Sequence, residues 1–165
     1  MKESKLYKEA AKEIKAIQAC ILAEEEIAEL IKEILLNEKT KGKRKDHLCE
    51  EVGDVRIMIS ILGRRLGIDL DEIKPAEKPK SSDAKNGVDG DWAIMILADL
   101  QQEISKYVRR RGSKKKLKAA IAQYLYLESR MIADDKLPVT KKAVNRSVKN
   151  KQHRMENRIK HKNVF

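Results

Sequence analysis

The chain has 165 residues and a mass of 18.9 kDa, the size of one domain with a sizeable core. Apolar residues make up 41%, charged residues 38% and aromatic residues 4%, with seven glycines and three prolines. This composition excludes a disordered polyelectrolyte and favours helices over turn-rich β-sandwiches. The uncharged stretches are too short to span a membrane, and residues 1–5 do not open a secretory signal, so we expect an all-α, cytoplasmic protein without a membrane partner.

Apolar periodicity predicts a helical bundle made of helices over residues 6–19, 20–37, 46–66, 92–110, 114–133 and 140–160. The basic segment 39–43 is the expected break after the second helix, and Gly67 is the expected stop of the third. Two of the three prolines fall in residues 69–91, which predicts a linker or long loop. We therefore expect a helical core over 1–68, that linker, and a basic helical region over 92–165.

Acidic residues cluster on the second predicted helix. No basic residue occurs between Lys15 and Lys32, whereas that gap holds four glutamates, Glu24, Glu25, Glu26 and Glu29. Glu26 and Glu29 are three positions apart and share a face, as do Glu51 and Asp54 on the third helix. Antiparallel packing of these two helices would bring four carboxylates to one point, although the acids could instead cap the helix or pair with lysines and arginines.

The stripe through Glu51 and Asp54 continues as Met58 and Ile61, which indicates that these acids are partly buried. Buried carboxylates are costly unless they are paired, protonated or bound to a metal. Oxygen ligands without clustered histidine or cysteine favour Mg²⁺, with Mn²⁺ as a substitute. Cys20 and Cys49 lie in apolar helical patterns and are expected to be packed, reduced thiols.

Two segments resemble one enzyme superfamily. Residues 25–30, EEIAEL, and 48–58, LCEEVGDVRIM, are similar to the EExxEL and EExxDvxIM blocks of the all-α nucleoside triphosphate pyrophosphohydrolases, which include MazG-like proteins and dimeric dUTPases. The spacing also resembles that of the family, with 21 residues between Glu29 and Glu51. The resemblance covers residues 18–68, about a third of the chain.

The resemblance implies hydrolysis of a ribo- or deoxyribonucleoside triphosphate to monophosphate and pyrophosphate. It assigns four metal ligands, Glu26, Glu29, Glu51 and Asp54. It also offers Glu25, Glu26 and Glu50 as catalytic carboxylates that accept a proton from water, and Gln18 as a substrate contact. The tail of short phage-type members resembles residues 151–159, which implies phosphate contacts from Lys151, Arg154 and Arg158.

The second half of the chain departs from this pattern. Residues 117–123 match the apolar pattern of residues 48–54, but the acids have become alanine and glutamine; residues 96–99 similarly resemble 21–24. We interpret the second half as a degenerate repeat that packs on the first, which would give an intrachain pseudo-dimer; a homodimer of this chain is the other arrangement that the resemblance leaves open. The alternative is that two amphipathic helix pairs look alike without common origin.

The formal charge of +11 is unevenly distributed. Residues 106–118 hold eight basic residues and no acid, and residues 136–165 hold ten lysines and arginines against one glutamate. Such runs attract phosphate, or they form a solvated face. Two alternatives to the enzyme follow, a helical nucleic-acid-binding protein and a catalytically inactive regulatory relative.

Overall fold

All elements in the described part of the chain are helical, which confirms the all-α prediction. The computed structural model describes residues 3–76, 90–133, 137 and 139–160. Its helices are α1 (Glu3–Glu13), α2 (Ala16–Lys39), α3 (Lys45–Arg65), α4 (Gly90–Val108), α5 (Lys114–Ala133) and α6 (Lys141–Lys160), with a 3₁₀ turn at Leu70–Glu72.

The predicted boundary between the first two helices is wrong. The sequence pattern placed it after residue 19, whereas α1 ends at Glu13 and α2 begins at Ala16. Lys15 adopts an extended backbone with φ −71° and ψ 149°, while the side chain of Ile14 is buried in the core. Neither residue is a helix breaker, so the position of this break is set by packing of Ile14 and not by a local signal.

The turn between α2 and α3 falls where the basic segment 39–43 predicted it. Arg44, immediately before α3, reaches back to α2, where its Nε and Nη2 donate to the two carboxylate oxygens of Glu33 at 2.7 and 2.8 Å. This two-point pairing lowers the pKa of Glu33, a buried residue. The pair fixes how α3 leaves the turn, while the antiparallel arrangement of α2 and α3 stays a prediction.

The core is one cluster of buried side chains that includes residues from all six helices. α2 packs against α3 and α4, α3 also packs against α1 and α6, and α4 packs against α5. The apolar residues that recur at steps of four and three along α3 are buried at Leu48, Val52, Val55, Ile59 and Leu62, and Leu66, just after the helix, is partly buried. Cys20 and Cys49 are buried, as predicted. Gly67 follows the end of α3 with φ +64°, a left-handed conformation that favours glycine, and this confirms it as the stop signal.

The basic helix α6 is packed along α3 through buried Val144 and Val148. Its polar side chains also contribute, since Gln152 Nε2 donates to the hydroxyl of Tyr7 on α1 at 2.7 Å. α3 and α6 are in tight contact at Gly53, where a Cβ atom would lie 3.3 Å from side-chain atoms of both Ser147 and Val148. The absence of a side chain at Gly53 therefore sets the spacing of the two helices.

A second contact joins α3 to the later helices. The Arg56 guanidinium forms an ion pair with buried Glu128 on α5, and its Nη1 donates to Asn145 Oδ1 on α6 at 3.1 Å.

Of the predicted linker, residues 69–76 lie within the described chain, where the Ala76 amide donates to the Ala122 carbonyl at 3.1 Å. Residues 77–89 lie outside the described residues, and residues 90 and 91 belong to α4, so the last two positions of the predicted linker are helical. No helix in the described ranges is long and apolar enough to cross a membrane.

We expect Gly53→Leu to lower the free energy of unfolding by about 2 kcal/mol, because the new side chain overpacks the contact between α3 and α6. Urea unfolding followed by circular dichroism measures the change. Ala98→Leu, at an exposed position of α4, is the matched control and is expected to change stability by less than about 0.5 kcal/mol. Equal effects in the two variants would contradict this account of the contact.

Candidate metal centre

Three of the predicted ligands converge. Glu26 on α2 and Glu51 and Asp54 on α3 each offer a carboxylate oxygen, and these atoms all lie within 4.8 Å of one another. The spacing of three positions puts Glu51 and Asp54 on one face of α3, and the packing of α2 on α3 brings Glu26 to the same point. We call these three residues the carboxylate cluster.

The cluster is partly withdrawn from water. Side-chain exposure is 21% for Glu26 and 15% for Asp54, and Glu51 Oε2 is buried without a hydrogen-bond partner among the described residues. Burial, and after it the neighbouring charge of Asp54, raises the pKa of Glu51 to about 7. Burial also raises the pKa of Glu26 and that of Asp54. An unsatisfied carboxylate oxygen beside two others fits a hard divalent cation such as Mg²⁺.

Lys151 of α6 compensates part of this negative charge. Its ammonium forms an ion pair with Asp54 Oδ2 and lies 3.5 Å from Glu26 Oε1. The pairing opposes the rise in pKa of Asp54 and Glu26, but burial outweighs it at both residues. One ammonium therefore faces a cluster of three carboxylates, which leaves the cluster with a capacity for further positive charge.

A polar cleft of about 410 Å³ opens beside the cluster between α3 and α6. Acids line its α3 side and basic or polar residues line its α6 side. The charged side chains in its lining include three acids, Glu50, Glu51 and Asp54, and three bases, Arg146, Lys151 and Arg154. The carboxylates come from α3 and the cations from α6, where Lys151 is paired with Asp54, and this combination suits an anion bound together with a metal ion.

An apolar cleft of about 190 Å³ adjoins the cluster. It shares Asp54, Lys151 and Arg154 with the polar cleft, and it adds Glu26 and Arg158. Its walls are aliphatic side chains, Leu22, Ile57, Met58, Ile61 and Met155. The two clefts thus meet at the carboxylate cluster, and one of them is polar while the other is apolar.

The other predicted site residues lie in different places. Glu29 is exposed and does not belong to the group of three, although its charge contributes to the raised pKa of Glu26 and of Glu51. Glu50 is exposed and lines the polar cleft. Gln18 and Glu25 are exposed and line neither cleft. The roles of these four residues stay predictions.

The tail residues singled out by the resemblance lie at the clefts. Lys151 and Arg154 line both, and Arg158 lines the apolar one. Sequence reasoning missed Arg146 and Asn150, which line the polar cleft from the same helix. The missed signal is helical spacing, since residues 146, 150 and 154 recur every four positions on one face.

The second half of the chain holds a third cleft, of about 360 Å³, between α4 and α5. Ala120 and Gln123 line it at the positions aligned with Glu51 and Asp54. Within the described ranges, the only group of three ligating residues that could hold a metal ion is the carboxylate cluster. The origin of the second half as a repeat stays a prediction.

Comparisons of the chain with protein-family models, with curated proteins and with solved structures find no match.

Without a divalent cation, we expect stability to fall as pH rises from about 4.5 to about 7. In the folded state Glu51 keeps its proton at pH values where the unfolded chain has already released it. Between the unfolded pKa and the folded pKa, each rise in pH therefore lowers the free energy of unfolding. Glu51→Gln should remove part of this decline and raise the free energy of unfolding above pH 7 by about 1 kcal/mol, once solvent screening is allowed for.

Urea unfolding in EDTA across this pH range measures the effect. Glu72→Gln, which changes an exposed carboxylate of the 3₁₀ turn, is the control and should keep the wild-type decline. An identical pH dependence in wild type and Glu51→Gln would contradict the assignment of the raised pKa to Glu51.

Proposed function

We propose that the protein is a metal-dependent nucleoside triphosphate pyrophosphohydrolase, which converts a ribo- or deoxyribonucleoside triphosphate to the monophosphate and pyrophosphate. The observation that carries the proposal is the convergence of Glu26, Glu51 and Asp54 within 4.8 Å at the junction of a polar and an apolar cleft. These are three of the four ligand positions that the resemblance to the family implies.

The two clefts match the two parts of a nucleotide. Arg146, Lys151 and Arg154 line the polar cleft, where their cationic groups would contact the phosphates. The walls of the apolar cleft would take the nucleoside, and the guanidinium of Arg158, which also lines this cleft, would stack on or hydrogen-bond to the base. A triphosphate bound in this way would extend past the carboxylate cluster.

The cluster would hold Mg²⁺ through Glu26, Glu51 and Asp54. When bound, such an ion supplies charge neutralisation of the phosphate oxygens and a lower pKa for a water in its shell. The remaining changes on binding involve protein side chains. Lys151 would turn from the carboxylates toward the phosphates, and Glu51 would lose its proton as the ion is taken up.

Glu50 is the candidate best placed to accept the proton of the attacking water, because it lines the polar cleft and is not part of the carboxylate cluster. Glu26 is committed to the cluster, and Glu25 lines neither cleft. As the water oxygen bonds to one of the two phosphorus atoms of the anhydride between the α- and β-phosphates, the bond from that phosphorus to the bridging oxygen breaks. The proton passes to the carboxylate, and the bridging oxygen leaves on one of the two products.

We expect Glu51→Gln and Asp54→Asn each to lower kcat at least about a hundredfold, because each removes a ligand charge from the cluster. Pyrophosphate release is measured from a panel of ribo- and deoxyribonucleoside triphosphates with Mg²⁺, with Mn²⁺ and with EDTA. Glu72→Gln is the matched control and keeps wild-type turnover. Circular dichroism confirms that each variant is folded.

Metal-dependent release with a monophosphate product supports the proposal and identifies the preferred base. Unchanged turnover in both cluster variants would contradict it. If the folded wild-type protein releases pyrophosphate from none of the nucleotides, the enzyme is excluded. Nucleic-acid binding by the exposed basic residues of 109–116 then becomes the function to test, through its dependence on salt.

We also expect Lys151→Met to bind Mg²⁺ several-fold more tightly than wild type when no nucleotide is present. The ammonium of Lys151 is paired with the carboxylates of Asp54 and Glu26, so a metal cation that binds there must displace it. Isothermal titration calorimetry measures the affinity. Lys149→Met removes the same charge from an exposed position of α6 and is the control. Equal or weaker binding by Lys151→Met would contradict competition between ammonium and metal.

A further inference from the structure

A further cleft, of about 530 Å³, lies where the start of α2 meets the ends of α3 and α4. The first two turns of α2 contribute to its lining, together with Leu66 just after α3 and with Tyr107 and Val108 at the end of α4. None of these residues lines the polar or the apolar cleft at the carboxylate cluster. Leu66 follows Asp54 by twelve positions, which is about 18 Å along α3. The cleft is therefore a separate site.

The lining of this cleft is mostly apolar and has a positive character. It includes Ile17, which is 57% exposed, and the partly buried ring of Tyr107. Of the described residues that line it, Arg110 is the charged one and none is acidic. The start of α2 also borders the cleft, and Lys15 at its N-cap makes no side-chain hydrogen bond to the first turn. The amides of that turn therefore add partial positive charge.

The turn between α4 and α5 extends this positive charge beyond the cleft. Backbone hydrogen bonds hold the turn, since the amides of Arg111 and Gly112 both donate to the Lys106 carbonyl at 2.9 Å. Lys114 Nζ donates to the Gly67 carbonyl at 2.7 Å, which ties the turn to the end of α3. No acidic residue occurs between positions 103 and 128. We call the six exposed cations of this segment the basic turn: Arg109, Arg110, Arg111, Lys114, Lys115 and Lys116.

We propose that the cleft and the basic turn together bind single-stranded nucleic acid, as a second function beside the proposed hydrolysis. An unpaired base would enter the cleft against Tyr107 and Ile17, and the adjoining phosphates would contact Arg110 and the other cations of the basic turn. The bases of a duplex are stacked and paired, so they cannot enter such a cleft. The charge continues past the cleft along the turn, which matches a chain of phosphates better than one nucleotide. The surface therefore favours a single strand over both a duplex and a free nucleotide.

Fluorescence anisotropy of a labelled oligodeoxythymidine, about 12 nucleotides long, measures binding to the full chain. EDTA in the buffer removes any contribution of a metal ion at the carboxylate cluster. Contact with about four phosphates predicts that the logarithm of the binding constant falls with the logarithm of the salt concentration at a slope of about −3. A duplex of the same length is expected to bind at least about fivefold more weakly, because its bases do not reach the cleft.

Two variants separate the cleft from the charge. Tyr107→Leu should weaken binding at least about fivefold, whereas Tyr107→Phe keeps the ring and should keep the wild-type affinity. Arg110→Asn should weaken binding and reduce the steepness of the salt dependence by about 0.7. Arg110 has a φ of +56°, a left-handed conformation that asparagine accepts, so this variant is expected to fold normally. Lys149→Asn removes the same charge from an exposed position of α6 and is the control.

These outcomes are independent of those that test the enzyme. Glu51→Gln should leave oligonucleotide binding unchanged, and Arg110→Asn should leave pyrophosphate release unchanged. The inference would be overturned by absence of single-strand binding at low salt, by equal or tighter binding of the duplex, or by binding that neither Tyr107→Leu nor Arg110→Asn weakens. Displacement of the strand by polyglutamate as effectively as by unlabelled oligonucleotide would also overturn it and assign the surface to an acidic peptide. Binding to phosphatidylglycerol vesicles without binding to the strand would assign it to a membrane.

Discussion

Partial burial of three carboxylates at one point is the constraint on which the rest of this structure depends. Glu26, Glu51 and Asp54 are brought within 4.8 Å of one another, and their pKa values are raised by burial. Such an arrangement persists only where surrounding packing is strong enough to hold it. Here the buried faces of α2 and α3 and the ion pair between Glu33 and Arg44 supply that packing.

The basic composition of the chain is linked to this site through α6. That helix approaches α3 closely because Gly53 has no side chain, and the same contact sets Lys151 against Asp54 and Glu26. It also lines both clefts with guanidinium groups. The packing of α6 on α3 therefore neutralises part of the charge of the carboxylate cluster. It also creates the surfaces on which a phosphate and an apolar group could bind together.

The local patterns predicted much of the molecule. The helices, the buried apolar face of α3 and the shared face of Glu51 and Asp54 follow from spacing, and the stop at Gly67 follows from its residue type. Features set by tertiary contacts did not. The break at Ile14 depends on core packing, and the clefts depend on how α6 packs on α3. Glu26 and Glu29 are about 60° apart on α2, so only the rotation of that helix decides that Glu26 turns inward and Glu29 does not.

The central claim is that the carboxylate cluster is a divalent cation site. Anomalous diffraction from crystals grown with Mn²⁺ and a non-hydrolysable nucleoside triphosphate analogue tests it most directly. We expect a Mn²⁺ peak bounded by carboxylate oxygens of Glu26, Glu51 and Asp54, with the Lys151 ammonium moved from Asp54 to a phosphate oxygen. A cluster without a peak, with Lys151 still paired to Asp54, would contradict it.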